Sequence, residues 1–246
     1  MEWSAPIDLY CERTAPSFWA EPANALSNAA FLVAAAAAFL AWRRAGGRDR
    51  PALALILVVA AVGLGSFTFH TVATRGALLA DVIPIAVFIY GYLLVALRRF
   101  LGLSLVLSLA ILAAYAAASQ ALSWLAPPRA LNGSIDYVPA LIALIVVART
   151  VRGPGASAVN HRPGLDLAVM MFTVSLALRS VDLAVCGAFP LGTHFIWHLL
   201  NATVLYVLLR TTIRKAEPAR ALCEPSLQVE KTGIDGQART ADGGDR

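Results

Sequence analysis

Residues 51–70 read PALALILVVAAVGLGSFTFH and contain no Asp, Glu, Lys or Arg. A helix of about 20 residues spans a bilayer, because each residue adds about 1.5 Å and the hydrocarbon core is about 30 Å thick. Pro51 suits the first turn of such a helix. The stretch therefore predicts a membrane helix, and it ends on an ionisable residue, His70, which is a candidate functional group.

Six further apolar segments, separated by charged or turn-forming residues, extend this pattern in both directions. They are Asn24–Trp42, Ala77–Leu97, Phe100–Leu122, Tyr137–Val151, Leu165–Cys186 and Leu191–Ile213. We predict an all-α, polytopic membrane protein with a seven-helix bundle over residues 24–213. An extracytoplasmic segment, residues 1–23, precedes it. Residues 214–246 are polar and lack apolar periodicity, which predicts a disordered cytoplasmic tail.

The composition supports a membrane protein and argues against a nucleic-acid partner. Hydrophobic residues make up 59% of the 246 and charged residues 14%, against about 25% charged in a typical soluble domain. The net charge of +5 comes from basic residues in short loops and the tail, which build no folded basic face. The N-terminal segment is acidic, so we expect no cleavable signal peptide.

The distribution of basic residues between loops predicts the orientation. The first, third and fifth loops and the end of the last segment carry most of the arginines, whereas the opposite loops carry only Arg75 and Arg129. The positive-inside rule places the N-terminus outside and the C-terminus in the cytoplasm. This requires an odd number of spans, in agreement with seven. The Ala-rich, Arg-preferring composition suggests a bacterial plasma membrane, with the polar site toward the extracytoplasmic side.

Polar and ionisable side chains inside the segments are the candidate functional groups. They are Ser66 and His70 on the second segment, Asp81 on the third, Arg179 and Asp182 on the sixth, and His194 and His198 on the seventh. In the predicted orientation, the three histidines and Asp81 lie at one level near the outer leaflet. Scattered polar residues would not be expected to share a level.

The histidine spacing is typical of a metal site. His194 and His198 are four residues apart, which puts both rings on one face of a helix. With His70 they provide three neutral imidazoles and leave a position for water, as in a catalytic zinc site. Asp81 is a candidate general base and acid. Ser66 is a candidate hydrogen-bond donor to an oxyanion.

Structural alternatives remain open for each of these residues. Membrane helices use histidine for interhelical hydrogen bonds. Asp81 has Arg75 and Arg179 as alternative partners, and Ser66 has the carbonyl one turn earlier. Arg179 and Asp182 are three apart, which suggests an intramembrane ion pair.

Three segments carry a resemblance to a known family. They are Asp8–Asn28 (DLYCERTAPSFWAEPANALSN), Gly65–Pro84 (GSFTFHTVATRGALLADVIP) and Thr193–Asn201 (THFIWHLLN). These resemble the D-W-C-E … A-E-x-x-N-x-x-S-N, G-S-x-x-F-H … D-x-x-P and H-x-x-W-H patterns of the alkaline ceramidases. That family belongs to a wider group of seven-helix membrane hydrolases with the adiponectin and progestin receptors.

The resemblance implies a reaction and its residues. The reaction is hydrolysis of the amide of ceramide to sphingosine and a fatty acid. The residues are His70, His194 and His198 as zinc ligands, with Ser66 and Asp81 beside the bound water. Ceramide or another N-acyl lipid is the expected substrate, since the sequence does not choose between them.

The resemblance also implies a calcium ion near the zinc and a disulfide. The matching calcium positions are Asp8, Glu12, Glu21 and Asn24, whose oxygens suit that ion. The implied disulfide joins Cys11 and Cys186, as an oxidising outer compartment allows. Leu9–Tyr10 stand where the family has Trp, and an alternative is an acidic segment that caps the first helix through Asn24 or Ser27.

Two other functions compete with hydrolysis. The first is a seven-helix lipid receptor or binding protein with a structural zinc, although three imidazoles leave the metal site open. The second is a retinal-type pump or a transporter. Retinal needs a lysine inside a helix, and the only lysines, Lys215 and Lys231, follow the last segment.

Overall fold

The computed structural model describes residues 2–127, 129–151 and 156–213, without the side chains of residues 156–162. The helices are α1 (Pro22–Ser27), α2 (Ala29–Arg44), α3 (Arg50–Val72), α4 (Arg75–Arg99), α5 (Leu105–Leu125), α6 (Val138–Thr150), α7 (Ala156–Val185) and α8 (His194–Thr212). A 3-10 segment, Ala130–Tyr137, leads into α6. The tail predicted for residues 214–246, including Cys223, lies outside the described residues.

Within the described residues the fold is helical, with a single isolated β-bridge between Pro6 and Thr74. Six helical stretches there are long and apolar enough to cross a membrane: Pro22–Arg44, Arg50–Val72, Arg75–Arg99, Leu105–Leu125, Ala130–Thr150 and Pro163–Val185. α8 is not one of them, and it contains His194, His198, Asn201 and Arg210 among its residues. The predicted class, an all-α multi-pass membrane protein, is confirmed.

The helix boundaries depart most from the prediction at three places. The first segment breaks at Asn28, whose side-chain amide donates to the carbonyl of Asn24 at 2.8 Å and so competes with the backbone ladder. α5 begins at Leu105 rather than Phe100, because Ser104 accepts from the amide of Leu107 and caps the helix. α7 begins at Ala156 and runs through Pro163 rather than starting near Leu165.

Apolar side chains cover the outside of the bundle as well as its core. Along α5 only Ser108 is buried, and Val106 and Leu125 are 79% and 84% exposed. Large contiguous apolar surface of this kind is rare on soluble proteins. It is the expected surface of a helix that faces lipid.

The N-terminal segment lies across the end of the bundle that carries the histidines. Its backbone pairs with the α3–α4 turn, through Ile7 to the carbonyl of Ala73 at 2.8 Å and Arg75 to the carbonyl of Ala5 at 3.1 Å. A disulfide joins Cys11 to Cys186 just beyond α7, as the resemblance implied. These links place residues 10–21 directly against the ends of α3 and α8.

Candidate metal centre

His70 of α3 and His194 and His198 of α8 converge in one buried cluster. Their ring centroids lie 5.1 Å apart for His70 and His194, 4.8 Å for His70 and His198, and 4.5 Å for His194 and His198. One nitrogen from each ring lies within 4.8 Å of the others, and all three residues are buried. The convergence predicted from the sequence is found.

The free ring nitrogens of the cluster fit a metal ion. Nε2 of His70, Nδ1 of His194 and Nε2 of His198 are buried without a hydrogen-bond partner, which is unfavourable unless a ligand satisfies them. Three imidazole nitrogens are a donor set that zinc and other divalent transition metals favour. The group can therefore hold a metal ion.

Two neighbouring side chains orient these rings. Nδ1 of His70 lies 2.6 Å from a carboxylate oxygen of Glu21. Nδ1 of His198 lies 2.7 Å from the hydroxyl of Ser27, which donates its own proton to the carbonyl of Asn24 at 2.9 Å. These contacts favour, in both rings, the tautomer with the proton on Nδ1 and the lone pair on Nε2, which is the one that a metal ligand needs.

Asp182 places the start of α8 and does not pair with Arg179, so the expected ion pair is wrong. Its carboxylate accepts from the amides of Thr193 at 2.6 Å and His194 at 2.9 Å, and from that of Cys11 at 3.0 Å. A carboxylate suits this position because the first amides of a helix lack partners and carry partial positive charge. The backbone can approach Asp182 this closely because the preceding loop contains Gly192 at a φ of +65°.

Arg179 instead lies next to the histidine cluster, 5.7 Å from the ring of Trp197, which stacks on His194. It donates to the carbonyl of Asn132 at 2.9 Å and the hydroxyl of Ser134 at 3.0 Å. Its guanidinium also lies over the ring of Tyr137, at 5.1 Å. Hydrogen bonds and an aromatic face are how a buried arginine is stabilised.

Aromatic rings hold His194 in place. Tyr10, from the N-terminal segment, stacks on His194 with centroids 3.6 Å apart. Trp197 lies parallel to the same imidazole at 5.2 Å. Burial raises the pKa of the Tyr10 phenol, so its ring stays neutral beside the cluster.

Ser66 and Asp81 are neighbours across a close approach of α3 and α4. At Gly65 a Cβ would overlap the backbone carbonyl of Ala80, so only glycine permits the approach. Ser66 and Asp81 are 1% and 7% exposed. The carboxyl of Asp81 interacts with the charge of His70 and has Ser66 as a side-chain neighbour, although no hydrogen bond within 3.5 Å joins Ser66 to it. Both residues therefore lie beside the cluster.

The Ser66 hydroxyl does not bond back to its own helix. It has no hydrogen-bond partner, whereas the nearby Thr68 and Thr71 donate to the carbonyls of Leu64 and Phe67. One oxygen of Asp81, Oδ1, is likewise buried without a partner. Both groups are therefore available to a molecule bound at the cluster.

Three of the four residues proposed for calcium are buried and lie together, because Asn24 donates to the carboxylates of both Glu12 and Glu21. Glu12 caps α1 by accepting from the amides of Ala23 at 2.6 Å and Asn24 at 2.8 Å. The helix-capping alternative is thus found, but with Glu12 in place of Asn24 or Ser27. Asp8 is exposed. Within the described residues, the histidine cluster is the one group of three or more His, Cys, Asp and Glu side chains close enough to share an ion.

Glu21 is buried and has three partners. Burial alone would raise the pKa of its carboxyl, but hydrogen bonds from His70, Arg13 and Asn24 outweigh it and lower that pKa. The amide of Asn24 donates to it at 3.0 Å. Glu21 is therefore a carboxylate whose oxygens are already engaged.

An apolar cavity begins beside the cluster and runs along the bundle. Phe31 and Trp197, which contact the His198 ring, form part of its wall, with Val62, Tyr92, Ala96 and Leu208 farther along. Ala96 is fifteen residues beyond Asp81 on α4, which is roughly 20 Å along a helix. That is more than half of a hydrocarbon core of about 30 Å.

Four residues have roles at this centre that the sequence did not predict. They are Tyr10, Arg13, Ser27, and Asp182 as the cap of α8. Arg13 and Ser27 contact histidines 57 and 171 residues away, and Tyr10 stacks on His194, so no local spacing indicates them. Asp182 alone carried a signal, because a carboxylate within an apolar segment needs partners. The signal does not say which partners.

The comparisons place this arrangement in a family. No curated protein gives a significant match to the sequence. The family profile described as Ceramidase matches residues 2–215, which include the whole cluster and the N-terminal segment. The chain belongs to the ceramidase family.

Proposed function

We propose that this protein is a zinc-dependent intramembrane hydrolase that cleaves the amide of ceramide or a related N-acyl lipid. The observation that carries the proposal is the buried cluster of three imidazoles with free nitrogens, beside two unpartnered oxygens of Ser66 and Asp81. Membership of the ceramidase family supports the amide as the bond that is broken.

His70, His194 and His198 would hold the zinc. Three histidine ligands leave a fourth position open, as catalytic zinc sites do. Bound there, zinc would polarise a carbonyl and lower the pKa of water to near 7.

The remaining chemistry falls to Asp81 and Ser66. Asp81 accepts a proton from the attacking water as the new C–O bond forms at the amide carbon. The Ser66 hydroxyl donates to the oxyanion that develops on the carbonyl oxygen. Asp81 then returns the proton to the amine nitrogen as the C–N bond breaks, which releases a fatty acid and the amine.

The apolar cavity supports a lipid substrate. It begins at the rings beside His198 and is lined mainly by aliphatic and aromatic side chains. An acyl chain in it would place the amide at the cluster and keep the hydrocarbon out of water. The lipid would enter sideways from the bilayer.

We further propose that α8 is a seventh span, with the N-terminus outside. The arginines at the ends of α2, α4 and α6 mark one end of the bundle, and the positive-inside rule assigns that end to the cytoplasm. The histidine cluster lies at the opposite end. The site would then face the extracytoplasmic side.

The direct test is release of labelled fatty acid from a fluorescent ceramide, and from a panel of other N-acyl lipids, by the purified protein. We expect turnover that stops when zinc is chelated and returns when zinc is added back. Asp81→Asn should lower kcat by about 10²- to 10⁴-fold while zinc is retained. Asp136→Asn, an exposed matched control, should behave like the wild type.

Two results would contradict this function. One is wild-type protein that binds zinc but hydrolyses none of the lipids above the protein-free rate. The other is Asp81→Asn with undiminished turnover. The first outcome would favour the receptor or binding-protein alternative.

A further inference from the structure

Arg13 is a buried arginine whose guanidinium is surrounded by oxygen atoms. Its Nε pairs with Glu21. Its Nη1 donates to the carbonyls of Ala15 at 3.2 Å and Ser17 at 3.3 Å, and its Nη2 to the carbonyl of His70 at 3.1 Å. A buried charge persists only when it is paired and hydrogen-bonded in this way.

These partners are chemically the ligands of a calcium ion. Calcium binds carboxylate and backbone carbonyl oxygens, and here those oxygens face a guanidinium. A divalent cation that used Glu21 would lie next to the positive charge of Arg13 and be repelled. Glu12 is engaged as a helix cap and Asp8 is exposed. Of the side-chain oxygens of Glu12, Glu21 and Asn24, only Oδ1 of Asn24 has no partner. Calcium needs about six to eight oxygen ligands, so these residues do not fit it.

The same arginine is linked to the histidine cluster through Glu21. One carboxylate oxygen of Glu21 takes the Arg13 Nε, and the other lies 2.6 Å from Nδ1 of His70. Arg13 also bonds the carbonyl of His70, so it fixes both the ring and the backbone of that residue. Partners of this kind set the tautomer and direction of a metal-binding imidazole.

We propose that Arg13 is a built-in cation that takes the place of calcium in the N-terminal segment. It is a positioning residue: it holds Glu21 against His70, and it makes zinc retention independent of calcium. The claim that zinc retention is independent of calcium rests on the proposed zinc site. The claim that Arg13 replaces calcium concerns only calcium binding and the stability of the fold.

The test measures zinc release to a chromophoric chelator and thermal unfolding, on the full-length purified chain. Wild-type protein should release zinc and unfold identically in calcium and in a calcium chelator. Arg13→Gln should release zinc roughly 10- to 100-fold faster, the range for losing an outer-shell partner. Arg75→Gln, an exposed arginine at the same end, is the matched control and should match the wild type.

A double-mutant cycle tests whether Arg13 acts through Glu21. Glu21→Gln should also accelerate release, and the double variant should be no faster than the faster single variant, because coupled residues are not additive. Arg13→Lys keeps the charge but not the planar fork, so it should release zinc at an intermediate rate. If Arg13→Gln does not fold, Arg13→Lys replaces it in the zinc-release measurement.

Saturable calcium binding that stabilises the wild type would overturn the proposal. So would wild-type release rates in Arg13→Gln, or in Arg13→Lys where Arg13→Gln does not fold, and so would additive effects in the cycle. If the wild type holds no zinc at all, the proposed function fails instead. The calcium titration and the unfolding temperature of Arg13→Gln would still test the role of Arg13. We expect that temperature to be lower than the one for Arg75→Gln.

Discussion

Oδ1 of Asp182 lies 2.9 Å from the backbone nitrogen of His194, so one carboxylate caps α8 at its first residue, which is also a member of the histidine cluster. The same side chain accepts from the amide of Cys11, next to the disulfide that joins Cys11 to the end of α7. Three separate parts of the chain therefore meet at Asp182, and the position of His194 depends on it.

Replacing Asp182 by Ala should destabilise the protein and weaken metal binding together. Loss of a cap costs about 0.5–2 kcal/mol, and here buried amides lose their acceptor as well. Ser104→Ala removes the cap of α5 and is the matched control. It should lower the unfolding temperature in detergent without changing the zinc content. Equal zinc content and release rates in both variants would show that Asp182 does not position His194.

Gly65→Ala should separate Ser66 from Asp81. The new Cβ would overlap the backbone of Ala80, which cannot move without shifting α4. We expect at least about a tenfold fall in kcat, since small misplacements of reacting groups are costly. Gly91→Ala, where the nearest atom is the flexible end of Leu55 at 3.1 Å, should keep its activity. Full activity in Gly65→Ala would contradict the close approach of α3 and α4.

The three cysteines should differ in reactivity. Cys11 and Cys186 are joined, so a maleimide should label them only after reduction. In the proposed orientation Cys223 is reached from the cytoplasm, so a membrane-impermeant maleimide should label it in inverted vesicles and not in intact cells. Labelling of Cys223 in intact cells would show that the orientation is the opposite one. Cys223→Ser is the control for specific labelling.

Removing the disulfide should loosen the N-terminal segment. Cys186→Ser is expected to cost about 2–4 kcal/mol, because the bond closes a long loop. It should also speed zinc release, since the segment places Tyr10 against His194 and Glu21 against His70. Cys223→Ser again serves as the control. Unchanged stability in Cys186→Ser would mean that the backbone hydrogen bonds from Ile7 to Ala73 and from Arg75 to Ala5 are enough to hold the segment.

Local patterns predicted the parts of this protein that local physics determines. The charge-free run 51–70 predicted α3, and the four-residue spacing of His194 and His198 predicted their shared face. The same run predicted that His70 would lie at the end of its helix, and the structure has it in the last turn of α3. These features depend on helical periodicity and on the thickness of a bilayer, which the sequence displays directly.

The long-range partners could not be predicted in the same way. The spacing of Arg179 and Asp182 suggested an ion pair, but in the folded protein each side chain finds other partners. Asp182 met unsatisfied amides at the start of α8, and Arg179 met carbonyl and hydroxyl oxygens near Asn132. Arg13 was similarly hidden, because its partners come together only when the N-terminal segment folds over α3.

Metal analysis and X-ray absorption of the purified protein decide whether the three histidines hold zinc. We predict one zinc per chain, bound by three imidazole nitrogens, and its loss in His198→Ala while the protein still inserts in the membrane. Wild-type protein that stays metal-free after exposure to zinc would rule out the zinc site. His198→Ala that keeps a full complement of zinc would contradict it equally.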